Sequence, residues 1–454
     1  MIKSPPVTAK LPEDFFQPSA ENPLRDNVAE CLALHKPLDD QGRYRPFDEL
    51  RHRWRSGLNP ATCWAIVKSA RVSQGLPILP LGSLDHWCSY FLTPIAHKAI
   101  SAVDRNASTA ALEYMSHKIG EGAHVSYLLN DLIEDEAISS SQLEGAATTT
   151  LIAKDMLKRK RQPRTPDERM IIGNYQLMKF AWDNRLQPLS VELIARLHEV
   201  GVAGIDDDKY SPGVFRTRDD VVVQDGEGNT VHVPPIAQEL AARLKVLADW
   251  TNTPHDNADR EDYLHPLIKG IALHFALGYE HPFRDGNGRV ARALFYWFMF
   301  KNDFSAFRYI AISVLLRNAP VKYGRSYLYT ETDAMDLTYF IDHQCSVVIR
   351  AVNDFLTAYK KMAVDTVSFD HWLAGSALYD RFSEKQKTVF QVAINGTAKE
   401  FTAVNVKENL DCSYNTASAV LNGLVDLNVF KKTKTGREWV FSLRDESEIK
   451  RAWL

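Results

Sequence analysis

HPFRDGNGRVAR, residues 281–292, sets an imidazole, a carboxylate, two glycines and the arginine pair Arg289 and Arg292 within twelve positions. Asp285, Gly286, Asn287 and Gly288 fall between two predicted helices. Glycines there free the backbone from Cβ sterics, so several N–H groups can converge. The start of the following helix adds its dipole and unpaired donors, which together make an anion site. Arg289 and Arg292 lie three apart and so share a helix face. Two guanidiniums beside such a nest predict a ligand with more than one phosphate. Asp285 would repel that ligand unless a hard cation lay between them, and an oxygen-ligated Mg²⁺ bridging the phosphates resolves the conflict. His281 ends the preceding helix and faces the same turn. Nearby cations favour its neutral form, which suits a general base. Phe283 reads as the buried anchor of the loop. The group describes attack by a hydroxyl on a magnesium-bound polyphosphate.

Other readings of the stretch fit less well. A solvated surface turn leaves unexplained why two arginines recur on a helix that runs into RALFYWFMF. An EF-hand with Gly288 as its fixed glycine puts Phe283 at the first ligand position and Leu294 at the twelfth, and neither coordinates calcium. A P-loop would need GxxxxGK[ST] after a strand, and neither is present.

The 454 residues allow two or three domains, and a chain 45% hydrophobic and 24% charged reads as ordinary soluble protein. A net charge of -3 gives no global pull toward nucleic acid. Five scattered cysteines with no CxxC pair argue against a disulfide scaffold or thiolate metal site. The N-terminus lacks the apolar core of a signal peptide, and LFYWFMF (294–300) is too short to span a bilayer. A cytoplasmic location is the expectation, with no membrane partner.

Most of the chain reads as helix, without the βαβ rhythm of a parallel sheet. ATCWAIVKSARV (61–72) has helical spacing, broken by GLPILPLG (75–82). Residues 99–158 read mostly helical, and KRKRQPR (158–164) as a solvated charge cluster. Helices follow at 166–183, 190–201, 236–250, 264–279 and 288–300, then around 304–318 and 336–365. One segment differs: Val221–Val223 and Val231–Val233 flank DGEGN, a hairpin signal. The last 75 residues change character. Helix candidates at 383–395, 403–410 and 414–427 precede two strands around a lysine-rich turn closed by Gly436, a winged helix-turn-helix pattern.

HPFRDGNGRVAR resembles, without a mismatch, the Fic-family signature HxFx(D/E)GNGRxxR. The resemblance extends to His274, His198, GNY at 173–175, the PG…R…VPP pattern from Pro212 to Pro235, and DLTYFIDH (336–343), thus over roughly residues 105–365. It implies a mainly α, Fic-type helical catalytic domain with one β-hairpin flap, and transfer of AMP from ATP to a tyrosine, threonine or serine hydroxyl. By that resemblance His281 takes the proton from the target and Asp285 holds Mg²⁺ between phosphates. Asn287, with the Gly286 and Gly288 backbone, positions the phosphates. Arg292 holds the γ-phosphate, and Arg289 supports the cradle. The hydroxyl attacks the α-phosphorus and pyrophosphate leaves. Residues Phe215 to Val233 take the place of the family's flap, which pins an extended target segment by backbone hydrogen bonds.

Ser140, Glu144 and Gly145, in SSQLEG, resemble the inhibitory motif (S/T)xxxE(G/N) of the subgroup whose inhibitory helix is N-terminal. Leu143 and Ala146 stand where isoleucine and asparagine are common. A pair between Glu144 and Arg292 would take the guanidinium from the γ-phosphate and leave ATP in a pose wrong for in-line attack. The organisation expected is a mostly helical extension (1–100), a catalytic domain (101–365) with the inhibitory helix near 135–157, and a winged helix-turn-helix domain (375–454). Tyr323, Tyr327 and Tyr329 are candidate self-modification sites because YGRSYLYT (323–330) reads as an exposed loop. The third tail helix carries Tyr414, Asn415, Thr416 and Ser418 but no lysine or arginine, whereas Lys431, Lys432, Lys434 and Arg437 supply the wing. Protein contact or dimer support is therefore favoured over DNA binding. A nucleotide-sensing DNA-binding regulator, and a Fic enzyme with another donor or AMP-removing activity, are the rival functions.

Overall fold

The computed structural model describes residues 2–6, 28–54, 57–83, 86–119, 134–159, 161–207, 209–257, 259, 261–375, 379–394, 398, 400–435 and 438–453. Helices α1 (Val28–Leu34), α2 (Phe47–Leu50) and α3 (Pro60–Gln74) open the chain. An antiparallel hairpin, β1 (Leu76–Pro80) with β2 (Trp87–Tyr90), follows. This corrects the expectation that the first hundred residues are mostly helical. Pro77 and Pro80 disguise the strand, but a two-stranded ribbon has only edges, where the missing N–H is tolerated.

Then come α4 (Pro94–Asn106), α5 (Thr109–Ile119), α6 (helical over 134–143), α7 (Thr150–Arg159), α8 (Pro166–Asp183) and α9 (Val191–Val202). Their starts obey local capping chemistry: Thr93, Thr165 and Ser190 side chains accept from the third backbone N–H of α4, α8 and α9. Proline occupies the first helical position of α4 and α8, where its missing donor costs nothing. Strands β3 (Val223–Gln224) and β4 (Thr230–His232) pair antiparallel as the expected hairpin, shorter than the valine runs suggested.

The centre of the fold is α11 (Pro266–Glu280) packed along α12 (Asn287–Lys301), with α10 (Leu240–Asn252) set against α11. Leu294 to Phe300 on α12 and Leu267 to Leu277 on α11 are buried almost all round, as a helix sunk in a core must be. Among the described residues, no helix is long and apolar enough to cross a membrane. Helices α8 and α9 pack on α12 and against each other. Gly173 lets them close up: a Cβ there would stand 2.5 Å from the Gly201 carbonyl oxygen.

Helices α13 (Ile312–Asn318), α14 (Pro320–Thr332) and α15 (Thr338–Ala374) complete the body. YGRSYLYT is therefore helix, not loop. Tyr323, Tyr327 and Tyr329 are all half-buried, and the Tyr323 hydroxyl lies 2.8 Å from Nε2 of the buried His274. The exposure that suggested them as self-modification sites is absent. Arg161, within the charge cluster expected to be solvated, is half-buried and makes a two-pronged pair with Glu168 at 2.8 and 3.0 Å.

The tail runs α16 (Glu384–Ile394), α17 (Ala403–Asn409), α18 (Tyr414–Asp426), the hairpin β5 (Phe430–Thr435) with β6 (Glu438–Leu443), and α19 (Glu446–Trp453). Three helices precede the hairpin as expected; α19 was not foreseen. Phe401 bridges to Phe441, and Val389, Phe390, Val406, Leu421, Leu424 and Phe430 fill the interior. Gly436 and Arg437 of the wing lie outside the described residues.

Candidate active site

The turn between α11 and α12 starts with a reversal at His281, whose backbone is left-handed (φ 46°, ψ 57°) while its N–H still bonds Leu277 O. A residue with a Cβ held in that region is strained, and the strain sits at the proposed base. Phe283 then plugs inward. It is fully buried, stacked on His198 at 3.8 Å between ring centroids, with Phe215 at 5.1 Å. Asn287 closes the turn on the same residue: Oδ1 accepts from Phe283 N (2.9 Å), and Nδ2 donates to Phe283 O (2.8 Å). Phe283, read as the anchor of the loop, is fully buried, and Asn287, expected to position the phosphates, also spends one amide hydrogen and its carbonyl oxygen on the frame of the turn. Phe283→Ala is expected to cost about 3–5 kcal/mol of stability by opening a core cavity, read as a lower denaturant midpoint.

His198 shows how the frame is completed. Its Nδ1 accepts from Gly213 N–H (3.1 Å), so Nε2 carries the proton and donates to Asp285 O (3.0 Å). Burial holds this ring neutral, its pKa lowered to about 4.

The anion site follows. Gly286 precedes α12 in the left-handed region (φ 85°), and no side chain caps the helix start. Arg289 is buried and donates Nη1 to Gly201 O (2.9 Å), but among the described residues Nε and Nη2 have no hydrogen-bond partner. Arg292 is equally buried, and its Nη1 has none either. The unpaired nitrogens border the glycines: a Cβ on Gly286 would lie 3.3 Å from Arg289 Nη2, and one on Gly288 3.1 Å from Arg292 Nη1. Buried donors without acceptors are rare in native proteins and call for a partner, here a polyanion over the first turn of α12.

Glu144 already holds part of that space. Its Oε1 accepts from Arg292 Nη2 (2.8 Å), and a Cβ on Gly288 would collide with that same oxygen. Ser140 holds Arg292 as well, leaving Nη1 open: Oγ accepts from Nε (2.9 Å) and the carbonyl from Nη2 (3.1 Å). Gly145 ends the motif in the left-handed region (φ 98°). Helix α6 thus covers only 134–143 of the expected 135–157, because the chain turns at 144–145 and restarts as α7.

Asp285 keeps its side chain partly open, with Oδ1 on Gly286 N (2.6 Å) and Oδ2 3.1 Å from Lys209 Nζ. Among the described residues, no cluster of three or more His, Cys, Asp or Glu could hold a metal. A lone carboxylate beside a polyanion site fits Mg²⁺, which is commonly held by one or two carboxylates plus substrate phosphates and water. Lys209 was not anticipated from sequence.

His281 directs Nδ1 toward Gly278 O (3.2 Å). A carbonyl only accepts, so Nδ1 carries the proton and Nε2 keeps its lone pair. Burial lowers the ring's pKa to about 4, against the Gly278 carbonyl and Glu144, which push the other way. The imidazole is neutral at neutral pH. Arg216 fell within the flap expected from sequence, but its tie to the turn was not foreseen. Its Nε donates to His281 O (2.9 Å) and its backbone N to Pro282 O (2.8 Å), which ties the start of the flap to the turn.

Comparison with known proteins gives this geometry its relatives. Residues 188–299 match the model of the Fic/DOC family. A protein named protein adenylyltransferase Fic from Drosophila willistoni is 27% identical over 311 residues, 64% of this chain and 55% of that one. Its namesake from Drosophila mojavensis is 26% identical over 243 residues, 52% of this chain and 41% of that one. The chain thus spans about half the length of these curated relatives, or less. A Fic family protein of known structure from Desulfovibrio desulfuricans is 18% identical, with a TM-score of 0.49, covering 79% of this chain and 98% of that one.

Proposed function

We propose that the chain is a protein adenylyltransferase that moves AMP from ATP to a protein hydroxyl and is held down by Glu144. The observation that carries this reading is the set of buried, unpaired Arg289 and Arg292 nitrogens at the start of α12, beside a neutral imidazole with a free Nε2. In the reaction, His281 Nε2 takes the proton of a tyrosine, threonine or serine hydroxyl. The freed oxygen forms a bond to the α-phosphorus, the bond from that phosphorus to the bridging oxygen breaks, and pyrophosphate leaves. Charge developing on the phosphoryl oxygens is met by the α12 N-terminus and both guanidiniums, set in place before reaction. Mg²⁺ held by Asp285 would neutralise the phosphate charge. Arg292 would take the γ-phosphate once Glu144 gives it up.

Label position tests the reading. With the Glu144→Gly chain, ATP labelled in the α-phosphate is expected to leave label on protein, and ATP labelled in the γ-phosphate to release it as pyrophosphate. Protein-bound γ-label would mean a kinase-like reaction and defeat the proposal. The rate is expected to stay level from neutral pH downward and to drop as pH approaches about 4, where His281 gains its proton. A pH–rate profile with an acidic limb near neutrality would exclude His281 as a base of this kind.

The tail reads as a winged helix-turn-helix module starting near 375, and the body as a catalytic domain over 101–365. Support comes from the helix order, the Phe401–Phe441 bridge and an exposed β5 carrying Lys431, Lys432 and Lys434. Lys432 Nζ donates to Asn422 Oδ1 on α18 (2.8 Å), which spends one of its few cations internally. That favours contact with protein, a second copy included, over duplex DNA. A mobility shift with full-length chain on duplex DNA that disappears when the wing lysines are neutralised would reverse this preference. A cytoplasmic setting, with ATP and protein targets at hand, completes the reading.

A further inference from the structure

The flap presents a mechanical problem. Its two strands are two and three residues long, and the register slips between Val223 and Gln224. An isolated ribbon of that size has no stability of its own. Its tip, Asp225 to Asn229, is exposed and tied only to itself through the Asp225 carboxylate. The position of the edge to which a target strand would add must be set at the base.

Across both strands a single side chain is buried, that of His232. Its Nε2 lies 2.8 Å from Tyr279 O, two residues before His281 on the catalytic helix. Its Nδ1 lies 2.7 Å from Glu331 Oε2 on α14. The ring sits 5.1 Å from that of Tyr279 and 6.4 Å from that of His281. One imidazole therefore joins three elements: the flap, the end of α11 and α14. Its counterpart at the other base of the flap is Arg216, which holds His281 O, Glu280 O and Pro235 O.

We infer that His232, braced by Glu331, is a positioning residue that fixes the height of the flap above the proposed base, and so sets how tightly an acceptor segment is held. The inference rests on the adenylyl-transfer reading. It assigns to the pair an effect on acceptor binding, not on the nucleotide site. Nε2 faces a carbonyl oxygen, which can only accept, so that nitrogen donates to Tyr279 O, and Nδ1 shares the second hydrogen bond with Glu331. Replacing it with alanine breaks both and frees the end of β4. Glutamine can restore the donor to Tyr279 O.

The test uses the full chain with Glu144→Gly as enzyme, and full-length His281→Ala chain, which cannot modify itself, as titrated acceptor. Adding His232→Ala is expected to raise the acceptor KM about tenfold while the ATP KM moves less than about twofold. Amide exchange over 222–233 should quicken about tenfold, with 281–292 unchanged. His232→Gln should recover part of both effects, and Glu331→Ala should act in the same direction without altering the flap sequence. Unchanged exchange in His232→Ala overturns the inference, as does an equal rise in both KM values. If the Glu144→Gly enzyme labels no acceptor, the adenylyl-transfer reading is what fails, and the exchange arm still decides whether His232 clamps the flap.

Discussion

His281→Ala is expected to reduce transfer of labelled AMP about 10²–10⁴-fold or below detection, with ATP still bound, because the substitution removes the acceptor of the hydroxyl proton and none of the phosphate-binding groups. The separation is unusually clean in this site. The His281 ring contacts Gly278 O and faces the flap, whereas the buried guanidiniums belong to α12. Alanine at 281 must still adopt the left-handed backbone, and the Leu277 bond that holds the turn is made by the main chain. A melt beside the activity assay will separate lost chemistry from a lost turn. Near-normal transfer by a folded His281→Ala chain would show that another group takes the proton.

Glu144→Gly is expected to raise transfer by about a hundredfold or more over wild type, since misplacing a reacting group by about 1 Å costs about 10²-fold. Glu144 does not need to block ATP to achieve this. Its carboxylate holds one Arg292 nitrogen at 2.8 Å and stands against Gly288, where the terminal phosphate would otherwise rest. Glycine removes both the charge and the bulk. The ion pair is partly open on the glutamate side, with side-chain exposures of 25% for Glu144 and 1% for Arg292. Arg292 keeps its Ser140 contacts but, being buried, loses its countercharge, so a lower denaturant midpoint is expected beside the gain in rate. Adding Arg292→Ala to Glu144→Gly should cancel the gain. Equal incorporation by wild type and Glu144→Gly, both active, would remove Glu144 from regulation.

The anion end of the candidate site was legible because its groups are adjacent in sequence. Twelve consecutive residues supply the turn, the helix start and the arginine pair, and local rules alone place them. Ser140 and Glu144 were legible only through the motif they resemble, and the structure brings both to Arg292. The contacts that sequence reading missed all act across long separations. Lys209 meets Asp285, Arg216 meets His281 and Pro282, and His232 meets Glu331. No local pattern announces such pairs.

One misreading has a physical answer. YGRSYLYT (323–330) read as an exposed loop. Yet Pro320 occupies the first position of α14, and Gly324 faces open space where a missing side chain costs little packing. Asn287 was placed on the phosphates because the motif was read as a list of binding groups, yet its amide also ties the turn to Phe283. Half of such a turn must be spent on holding its own shape.

Helix α6 is fastened well away from the carboxylate it delivers. Glu136 accepts from Ser313 N (2.8 Å) and its hydroxyl, Asn174 Nδ2 donates to Ala137 O (2.9 Å), and Ala147 N donates to Asp167 just past the turn. Anchors this deep mean the segment cannot be peeled off as a latch without exposing the interior. The economical way to free Arg292 is to swivel the Glu144 side chain about its own bonds while the backbone stays seated. Relief would then be a local, quickly reversible event, driven by whatever competes for a single guanidinium, and would leave the architecture around it untouched.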